Sequence, residues 1–231
     1  MSRNIKISRK SEDKQMLKKI YALGVGHNTP VFIDLAVAAG YEVAGLYHYN
    51  DERTGQTDHG FEILGSFNDL FHSSSLQGMC FLLTMGDSQI RARLISQILE
   101  KGGEVPSLIH PTAVISQFAT ISPIGVYISA FSFVQADTTI GEGTVLLSGV
   151  NISHTNSIGR YCFVAGGSTI GAYTIMEDFV FVGQGVLSIS GKVSRIAHHA
   201  YIGAGSLLTH DVAAGEVLVG RPARVIRVNK I

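Results

Sequence analysis

Apolar and polar residues alternate in two different ways along the chain, and the first pattern covers the N-terminal part. Three apolar runs have the length of buried strands: 19–23, 41–47 and 79–85. Two segments have helical spacing of apolar residues and end at glycines: 31–39 and 88–101. This alternation predicts a parallel sheet with crossover helices in an α/β domain over residues 18–105. Residues 1–17 are polar and are expected to form a loose extension.

After Pro106 aliphatic residues recur at every sixth position. The unbroken series is Ile128, Val134, Ile140, Leu146, Ile152, Ile158, Val164, Ile170, Met176 and Val182. The same step occurs before a one-residue insertion and again near the end: Ile109, Ile115, Ile121, Ile196, Ile202 and Leu208. The residue four positions after each aliphatic is usually small or β-branched, and the residue directly after each aliphatic is often small. Three hexapeptides, each with a strand and a corner, predict a triangular parallel β-helix over residues 106–231, with the aliphatics pointing inwards.

Composition narrows the possible functions. The 18 Lys and Arg balance 18 Asp and Glu, which argues against nucleic acid or an anionic membrane as the main partner. No apolar run of 18 residues occurs, so no membrane span is expected. The polar N-terminus lacks the apolar core of a signal peptide, and two cysteines are too few for a disulfide framework. These features predict a cytoplasmic protein, and the 26 glycines fit the corners of a β-helix.

Short motifs occur along the chain in a characteristic order: Leu23-Gly24-Val25-Gly26-His27, Val31-Phe32-Ile33-Asp34, Gly40-Tyr41-Glu42-Val43, Ile63-Leu64-Gly65-Ser66, Met85-Gly86-Asp87 with Arg91, Ile109-His110-Pro111-Thr112-Ala113 and Val219-Gly220-Arg221-Pro222-Ala223-Arg224. With the hexapeptides, they make the chain from about residue 18 onwards resemble the hexapeptide-repeat acyltransferases, and more narrowly the bacterial sugar O-/N-acetyltransferases of the NeuD/PglD type.

This resemblance implies both a fold and a reaction. The β-helix would be left-handed and would form a homotrimer, with acetyl-CoA in a groove between neighbouring β-helices. The N-terminal domain would be Rossmann-like and would hold a nucleotide-linked amino sugar of the 4-amino-4,6-dideoxyhexose type. The reaction would be N-acetylation of the sugar amine, for surface polysaccharide or glycan biosynthesis.

His154 is the candidate general base. It follows the inward Ile152 by two positions, on the outer side of a coil, and a neutral imidazole accepts a proton near cellular pH. The resemblance matches it to the family's catalytic histidine. However, Thr155 stands where the family has an acidic residue, and Phe163 stands where it has a second histidine. Asp137, about one coil earlier, is a candidate substitute for the missing carboxylate.

One coil of 18 residues separates His154 from Ala172. A backbone N–H of Gly171 or Ala172 is therefore a candidate for stabilising the oxyanion that forms from the thioester. Cys162 falls at an inward position, so no acyl-enzyme is expected. Basic residues for the phosphates of coenzyme A, with small residues that allow the pantetheine arm to approach, are found near the last coils: Lys192, Arg195, Gly203, Ala204, Arg221 and Arg224.

The candidate phosphate site in the first domain is the turn containing Gly24, Gly26, His27 and Asn28. This turn ends a strand and opens a helix, where backbone amides and the helix dipole favour anions. It lacks the GxGxxG pattern, so no dinucleotide site is expected. The resemblance adds four further nucleotide-sugar candidates: Asn50, Asp51, Gly86 and Asp87.

Three other functions are considered. A zinc-dependent carbonic anhydrase on the same scaffold needs converging histidines, but those after His154 are His198, His199 and His210, which lack the required spacing, so no metal is expected. Within acetyltransferases, the alternative is O-acetylation of a sialic-acid-type sugar. From another class, the chain could be a non-catalytic trimeric scaffold that binds a nucleotide sugar.

Overall fold

The computed structural model describes residues 17–230, so the predicted extension at 1–17 lies outside it apart from its last residue. The N-terminal elements alternate as strands and helices: β1 (Lys18–Leu23), α1 (Thr29–Ala38), β2 (Tyr41–His48), β3 (Thr57–Asp58), β4 (Phe61–Ser66), α2 (Phe67–His72), β5 (Phe81–Leu83) and α3 (Ser88–Glu100). The three strands and two helices predicted from the apolar pattern are present as β1, β2, β5, α1 and α3. No helix within residues 17–230 has the length and apolar character needed to cross a bilayer.

The five strands form one sheet in the order β3-β4-β2-β1-β5. All neighbouring pairs are parallel except β3 and β4, which are antiparallel. Sequence analysis missed β4 and α2, although a capping box marks the start of α2. The Ser66 hydroxyl accepts from the Asp69 amide at 3.1 Å, and the Asp69 carboxylate accepts from the Ser66 amide at 2.8 Å.

Seventeen two-residue strands follow in the second part of the chain: β6 (Leu108–Ile109), β7 (Val114–Ile115), β8 (Thr120–Ile121), β9 (Tyr127–Ile128), β10 (Phe133–Val134), β11 (Thr139–Ile140), β12 (Val145–Leu146), β13 (Asn151–Ile152), β14 (Ser157–Ile158), β15 (Phe163–Val164), β16 (Thr169–Ile170), β17 (Ile175–Met176), β18 (Phe181–Val182), β19 (Leu187–Ser188), β20 (Arg195–Ile196), β21 (Tyr201–Ile202) and β22 (Leu207–Leu208). Longer strands β23 (Glu216–Val219) and β24 (Arg224–Val228) close the last coil as an antiparallel pair.

Register confirms the predicted coil. Val134 pairs with Ile152 and Ile152 with Ile170, so residues 18 apart stack in parallel. All ten aliphatics of the unbroken series are buried in one core. The coil between β17 and β20 is two residues longer, because Ile175 pairs with Arg195. This part of the molecule is a parallel β-helix.

The prism has three faces. The docked face contains β6, β9, β12, β15, β18, β21, β23 and β24; the second face contains β7, β10, β13, β16, β19 and β22; the third face contains β8, β11, β14, β17 and β20. We name the corners between them by their residues. The glycine corner (Gly149, Gly167, Gly185) joins the docked and second faces, the histidine corner (His154, Thr155, Tyr173) joins the second and third faces, and the tyrosine corner (Tyr161, Phe179, His199) joins the third and docked faces.

Two positions of the hexapeptide control the corners. The residue directly after the inward aliphatic faces the next coil, and a Cβ on Gly141 would lie 2.6 Å from the Gly159 carbonyl carbon. The residue three positions after the aliphatic has a left-handed backbone, which glycine adopts without cost. Several corners nevertheless place other residues there, with φ near 60°: Phe131, Asp137, Thr155, Tyr161, Tyr173, Phe179 and His199.

The α/β part packs on the docked face. The Phe32 ring of α1 meets the Tyr127 ring edge-on at 5.7 Å, and the Leu83 amide of β5 donates to the Tyr127 hydroxyl at 3.0 Å. Helix α3 lies over the tyrosine corner, where Ile95 approaches Gly125 and Gly143. The histidine corner is the corner opposite the docked face.

Candidate active site

A cleft of about 330 Å³ lies at the carboxyl ends of β1 and β5. The chain leaves β1 towards β2 on one side, and β5 lies on the other side of β1, so this is the point at which ligands bind in open α/β sheets. Five of the residues predicted for a nucleotide sugar line it: Gly24, Gly26, His27, Asn28 and Gly86.

The turn after β1 is held by Thr29 and Thr84. The buried Thr29 hydroxyl accepts from the Gly26 amide at 2.9 Å and donates to the Gly24 carbonyl at 3.1 Å. Gly24 has φ 109°, and a Cβ there would lie 2.5 Å from the Thr84 hydroxyl, so only glycine fits. Asn28 makes no side-chain cap at the start of α1. The Thr29 amide donates to the Gly26 carbonyl at 3.0 Å and Pro30 has no amide proton, so the Val31 amide is the donor of the first turn that is left for an anion.

Asp87, Asn50 and Asp51, which are also predicted for the nucleotide sugar, do not line this cleft. The Asp87 carboxylate accepts from the Gln89 and Ile90 amides at 2.9 and 3.0 Å, so it caps α3. The Asn50 side chain hydrogen-bonds to the His48 ring at 2.7 Å, and Asp51 is exposed.

Sequence reasoning missed the less polar part of the cleft. Its walls include Tyr49, Phe67, Met85 and Ile90. Tyr49 is 66% exposed, so its ring is available to a planar ligand. The capping box that starts α2 was the available sequence signal for Phe67, since Phe67 is the first residue of that helix.

His154 lies at the histidine corner, half-buried. Its Nδ1 is 3.1 Å from the Thr155 hydroxyl, and the Tyr173 ring meets the imidazole edge-on at 5.1 Å. Within residues 17–230, Nε2 has no hydrogen-bond partner, and Asp137 makes no hydrogen bond to the imidazole. Within this chain, Thr155 and not Asp137 is therefore the hydrogen-bond partner of the ring.

The predicted oxyanion amides are already engaged. Gly171 N–H donates to the buried Ser188 hydroxyl at 2.8 Å, and Ala172 N–H donates to the exposed Ser190 hydroxyl at 2.9 Å. Ser188 is buried, so an oxygen that binds the Gly171 amide would have to displace a buried hydroxyl. At Ala172 an incoming oxygen would have to displace the Ser190 hydroxyl.

The residues predicted to bind coenzyme A are divided among several parts of the β-helix. Lys192 is exposed in the turn that extends the histidine corner, whereas Gly203 and Ala204 belong to the glycine corner, where Arg221 donates to the Gly205 carbonyl at 3.3 Å. Arg195 lies on the third face in an ion pair with Glu177. A Cβ on Gly203 would lie 2.7 Å from Val219, so this glycine permits close packing of the last coil. Arg224 begins β24 and hydrogen-bonds to the adjacent Ala223 carbonyl.

Phe163 and Cys162 do not contribute to the histidine corner. Phe163 is buried on the docked face, where the Arg91 guanidinium lies 5.7 Å from its ring centre. Cys162 is buried in the β-helix core, and burial raises the pKa of its thiol to about 12. A thiolate nucleophile is therefore not available at neutral pH.

His198 and His199 contact each other, Nδ1 to Nδ1, at 3.2 Å near the tyrosine corner. Burial lowers the pKa of His199, whose Nε2 lies 3.0 Å from the Gln89 amide of α3. In the part of the chain that the structure describes, no three His, Cys, Asp or Glu side chains converge as metal ligands.

The known proteins that are similar to this chain include several bacterial acetyltransferases. No protein-family model matches the chain. The GDP-perosamine N-acetyltransferase of Escherichia coli O157:H7 is 29% identical over 188 residues, which are 79% of this chain and 82% of that protein. Among solved structures, PerB from Caulobacter crescentus in complex with CoA and GDP-perosamine has a TM-score of 0.80 at 25% identity, covering 90% of this chain and 96% of that one.

The same Caulobacter enzyme has been solved with one histidine replaced by asparagine or by alanine. The acetyltransferase domain of PglB from Neisseria gonorrhoeae, in complex with acetyl coenzyme A, has a TM-score of 0.81 at 24% identity over 91% of this chain and 100% of that domain. This likeness shows a shared fold.

Proposed function

We propose that this chain, a homologue of bacterial sugar N-acetyltransferases of the hexapeptide-repeat type, transfers the acetyl group of acetyl-CoA to the amine of a nucleotide-linked 4-amino-4,6-dideoxyhexose. The observation that carries the proposal is His154, a histidine at an open corner of the β-helix whose Nδ1 is engaged and whose Nε2 is free within the described residues. The β-helix is left-handed in this proposal, as in the family that the chain resembles.

The nucleotide sugar binds in the α/β cleft. Residues 18–105 act as a Rossmann-like domain in which the uncapped first turn of α1 receives the diphosphate. Tyr49 and Phe67 offer aromatic surface to the base. GDP-perosamine, which the Caulobacter relative binds, is the first acceptor to test.

Acetyl-CoA binds between copies of the chain, in a homotrimer. Large apolar side chains are exposed on the second and third faces and at the histidine corner between them: Val114, Phe118, Phe133, Tyr173, Ile175 and Leu187. Apolar surface of this kind is usually covered by a partner. Contact between the histidine corner of one copy and another corner of its neighbour would bring the separated candidates, such as Lys192 and Arg221, into one groove.

The chemistry needs one proton acceptor. The sugar amine attacks the thioester carbonyl carbon, the new N–C bond forms, and the amine proton goes to Nε2 of His154. Collapse of the tetrahedral intermediate breaks the C–S bond, and the sulfur leaves as the CoA thiolate, which takes up the proton from His154. An amide and free CoA are the products.

The test combines acetyl-CoA with a panel of GDP-, UDP- and dTDP-linked 4-amino sugars, and follows release of the CoA thiol. His154→Ala should lower kcat by about 10²- to 10⁴-fold, the usual contribution of a general base. Gly26→Glu should abolish saturation by the nucleotide sugar, because the added carboxylate repels the diphosphate at the start of α1. Its Cβ meets nothing within 4 Å, so the fold should be retained.

Ser74→Glu is the matched control, since it adds the same charge at an exposed position outside the cleft. Near wild-type kcat in His154→Ala with a confirmed acceptor would refute the assignment of the base. Thermal stabilisation by nucleotide sugars but by no CoA ester would instead favour the scaffold function.

A further inference from the structure

The histidine corner contains one backbone conformation that its residue type disfavours. Thr155 has φ 57°, and it is the β-branched residue among the non-glycine residues with positive φ. Branching at Cβ makes the left-handed region costly, and costly conformations are retained mainly where function requires them. Asp137 and Tyr173, in the equivalent positions of the coils before and after, are not β-branched.

This conformation brings the hydroxyl of Thr155 to the imidazole of His154. Thr155 Oγ1 lies 3.1 Å from Nδ1, and the amide of Thr155 donates to the Ala136 carbonyl at 2.9 Å, which anchors the backbone to the preceding coil. The Tyr173 ring, perpendicular to the imidazole, restricts ring rotation from the other side. Thus two residues of one corner fix the plane of the ring.

We propose that Thr155 is a positioning residue for His154: its hydroxyl oxygen accepts the Nδ1 proton and keeps the lone pair of Nε2 directed outwards as the base. This inference rests on the proposed function of His154. A hydroxyl carries no charge, so it selects the tautomer without stabilising the imidazolium as a carboxylate would. The charged and titratable groups along this corner are Asp137 one coil before, Tyr173 one coil after and, in the later coils, Lys192, His210 and Asp211.

The expected pH dependence follows from this neutral partner. The neutral imidazole is the active form, so the profile of kcat/KM should have an acid limb, on which the ring gains a proton and activity is lost. Thr155→Asp should favour the imidazolium and move this limb upwards by about one pH unit. A carboxylate is tolerated in this conformation at Asp137.

Three further variants separate positioning from folding. Thr155→Val has the same branching without the hydroxyl, and should lower kcat about tenfold, equivalent to one neutral hydrogen bond, with KM unchanged. Thr155→Ser keeps the hydroxyl and should keep kcat within about twofold. Thr155→Gly relieves the backbone, so it should melt no lower than wild type while losing as much activity as Thr155→Val. Activity that simply follows the melting temperature in this series would overturn the proposal.

A second readout does not depend on acetyl transfer. Nitrogen-15 spectra of histidine-labelled protein, with His154 assigned by its absence from His154→Ala, report which ring nitrogen holds the proton. Wild type and Thr155→Ser should have the proton on Nδ1, and Thr155→Val should lose this preference. A proton on Nε2 in wild type would refute the role of Thr155 whether or not a sugar acceptor has been found. Failure of all acceptors, with the Nδ1 tautomer intact, would refute only the proposed function.

Discussion

Arg91 shows how a single side chain joins the two parts of the molecule. It is 1% exposed, and its guanidinium donates to the carbonyls of Met85 and Gly86 beside the cleft at 3.3 and 2.9 Å. On its other side it reaches the Gly143 and Cys162 carbonyls of the β-helix, each at 3.4 Å. No carboxylate pairs with it among the described residues, and burial lowers the pKa of the guanidinium to about 10.

A comparison of the desolvation cost with the hydrogen bonds indicates that Arg91 contributes more to positioning the loop from Met85 to Gly86 than to the stability of the fold. The lowered pKa corresponds to a cost on the order of 3 kcal/mol for keeping the charge buried. Several hydrogen bonds offset this cost, but the bonds to the β-helix are long. The Cys162 carbonyl also accepts from the Val145 amide at 2.9 Å, and the two loop carbonyls can be rehydrated if Arg91 is removed.

Arg91→Met should therefore change the free energy of unfolding by less than about 2 kcal/mol, because replacing a buried charge by a well-packed apolar side chain is often close to neutral. Binding of the nucleotide sugar should weaken about tenfold, since the loop from Met85 to Gly86 loses its anchor. Denaturant unfolding and calorimetric titration measure the two quantities. Arg93→Met, on the exposed side of α3, should change neither. A loss of stability without a loss of affinity would contradict this account.

The role of a residue could be predicted from the sequence where every repeat places that position in the same environment. The inward aliphatics, such as Ile152, were predictable because the hexapeptide repeat places them in the same core at every turn. Asp87 was predicted for the nucleotide sugar, and in the structure it caps α3. The sequence alone does not show whether an acidic residue contacts a helix amide. The contacts of Arg91 with the β-helix connect residues more than 50 positions apart and have no local signal.

At the scale of elements, glycines allow the coils of the β-helix to stack closely and allow the chain to turn at the corners. Sequence reasoning predicted that small residues occupy corners, but it did not separate two different requirements. Gly141 has an ordinary backbone and no space for a Cβ, whereas Gly167 has φ 70° and nothing within 4 Å of a Cβ. The first requirement is steric and the second is conformational.

Replacing the two kinds of glycine by alanine should lower the free energy of unfolding by different amounts. Gly167→Ala should destabilise the protein by about 1–2 kcal/mol, the cost of a left-handed conformation for an L-residue. Gly141→Ala should cost about 3 kcal/mol, since its Cβ would contact the backbone of the next coil, which can move only by disrupting the stack. Melting temperatures and denaturant midpoints of the purified variants measure the order. Equal costs, or the reverse order, would show that the coils adapt to an added methyl group.

The elements that sequence reasoning missed are short ones whose patterns are ambiguous. In strand β4, Glu62 and Gly65 interrupt the apolar run, and α2 has six residues, too few for helical periodicity. The β-helix was predictable with far less information per strand because the same two-residue unit recurs. A repeated weak signal identifies an architecture better than one isolated stronger signal.

On the scale of the whole molecule, the cleft and the base occupy opposite sides of one chain. The α/β part covers the docked face and the tyrosine corner, while His154 is at the corner between the other two faces. A sugar held in the cleft therefore faces away from the His154 of its own chain. In the proposed trimer, the cleft of one copy would work with His154 of its neighbour.

Mixed trimers test this arrangement directly. His154→Ala lacks the base and Gly26→Glu lacks the anion site, so each variant alone should be inactive. The two variants are co-expressed with different affinity tags, and the trimers that contain both tags are purified. These mixed trimers should contain a site that combines the intact cleft of one copy with the intact His154 of the next. Each mixed trimer has one site of this composition among its three, so kcat per chain should recover to about one third of wild type. A site within one chain would leave every mixed trimer inactive, because no copy has both groups.

Co-expression of His154→Ala with the Ser74→Glu control should recover about half of the activity in either arrangement, which calibrates the assembly.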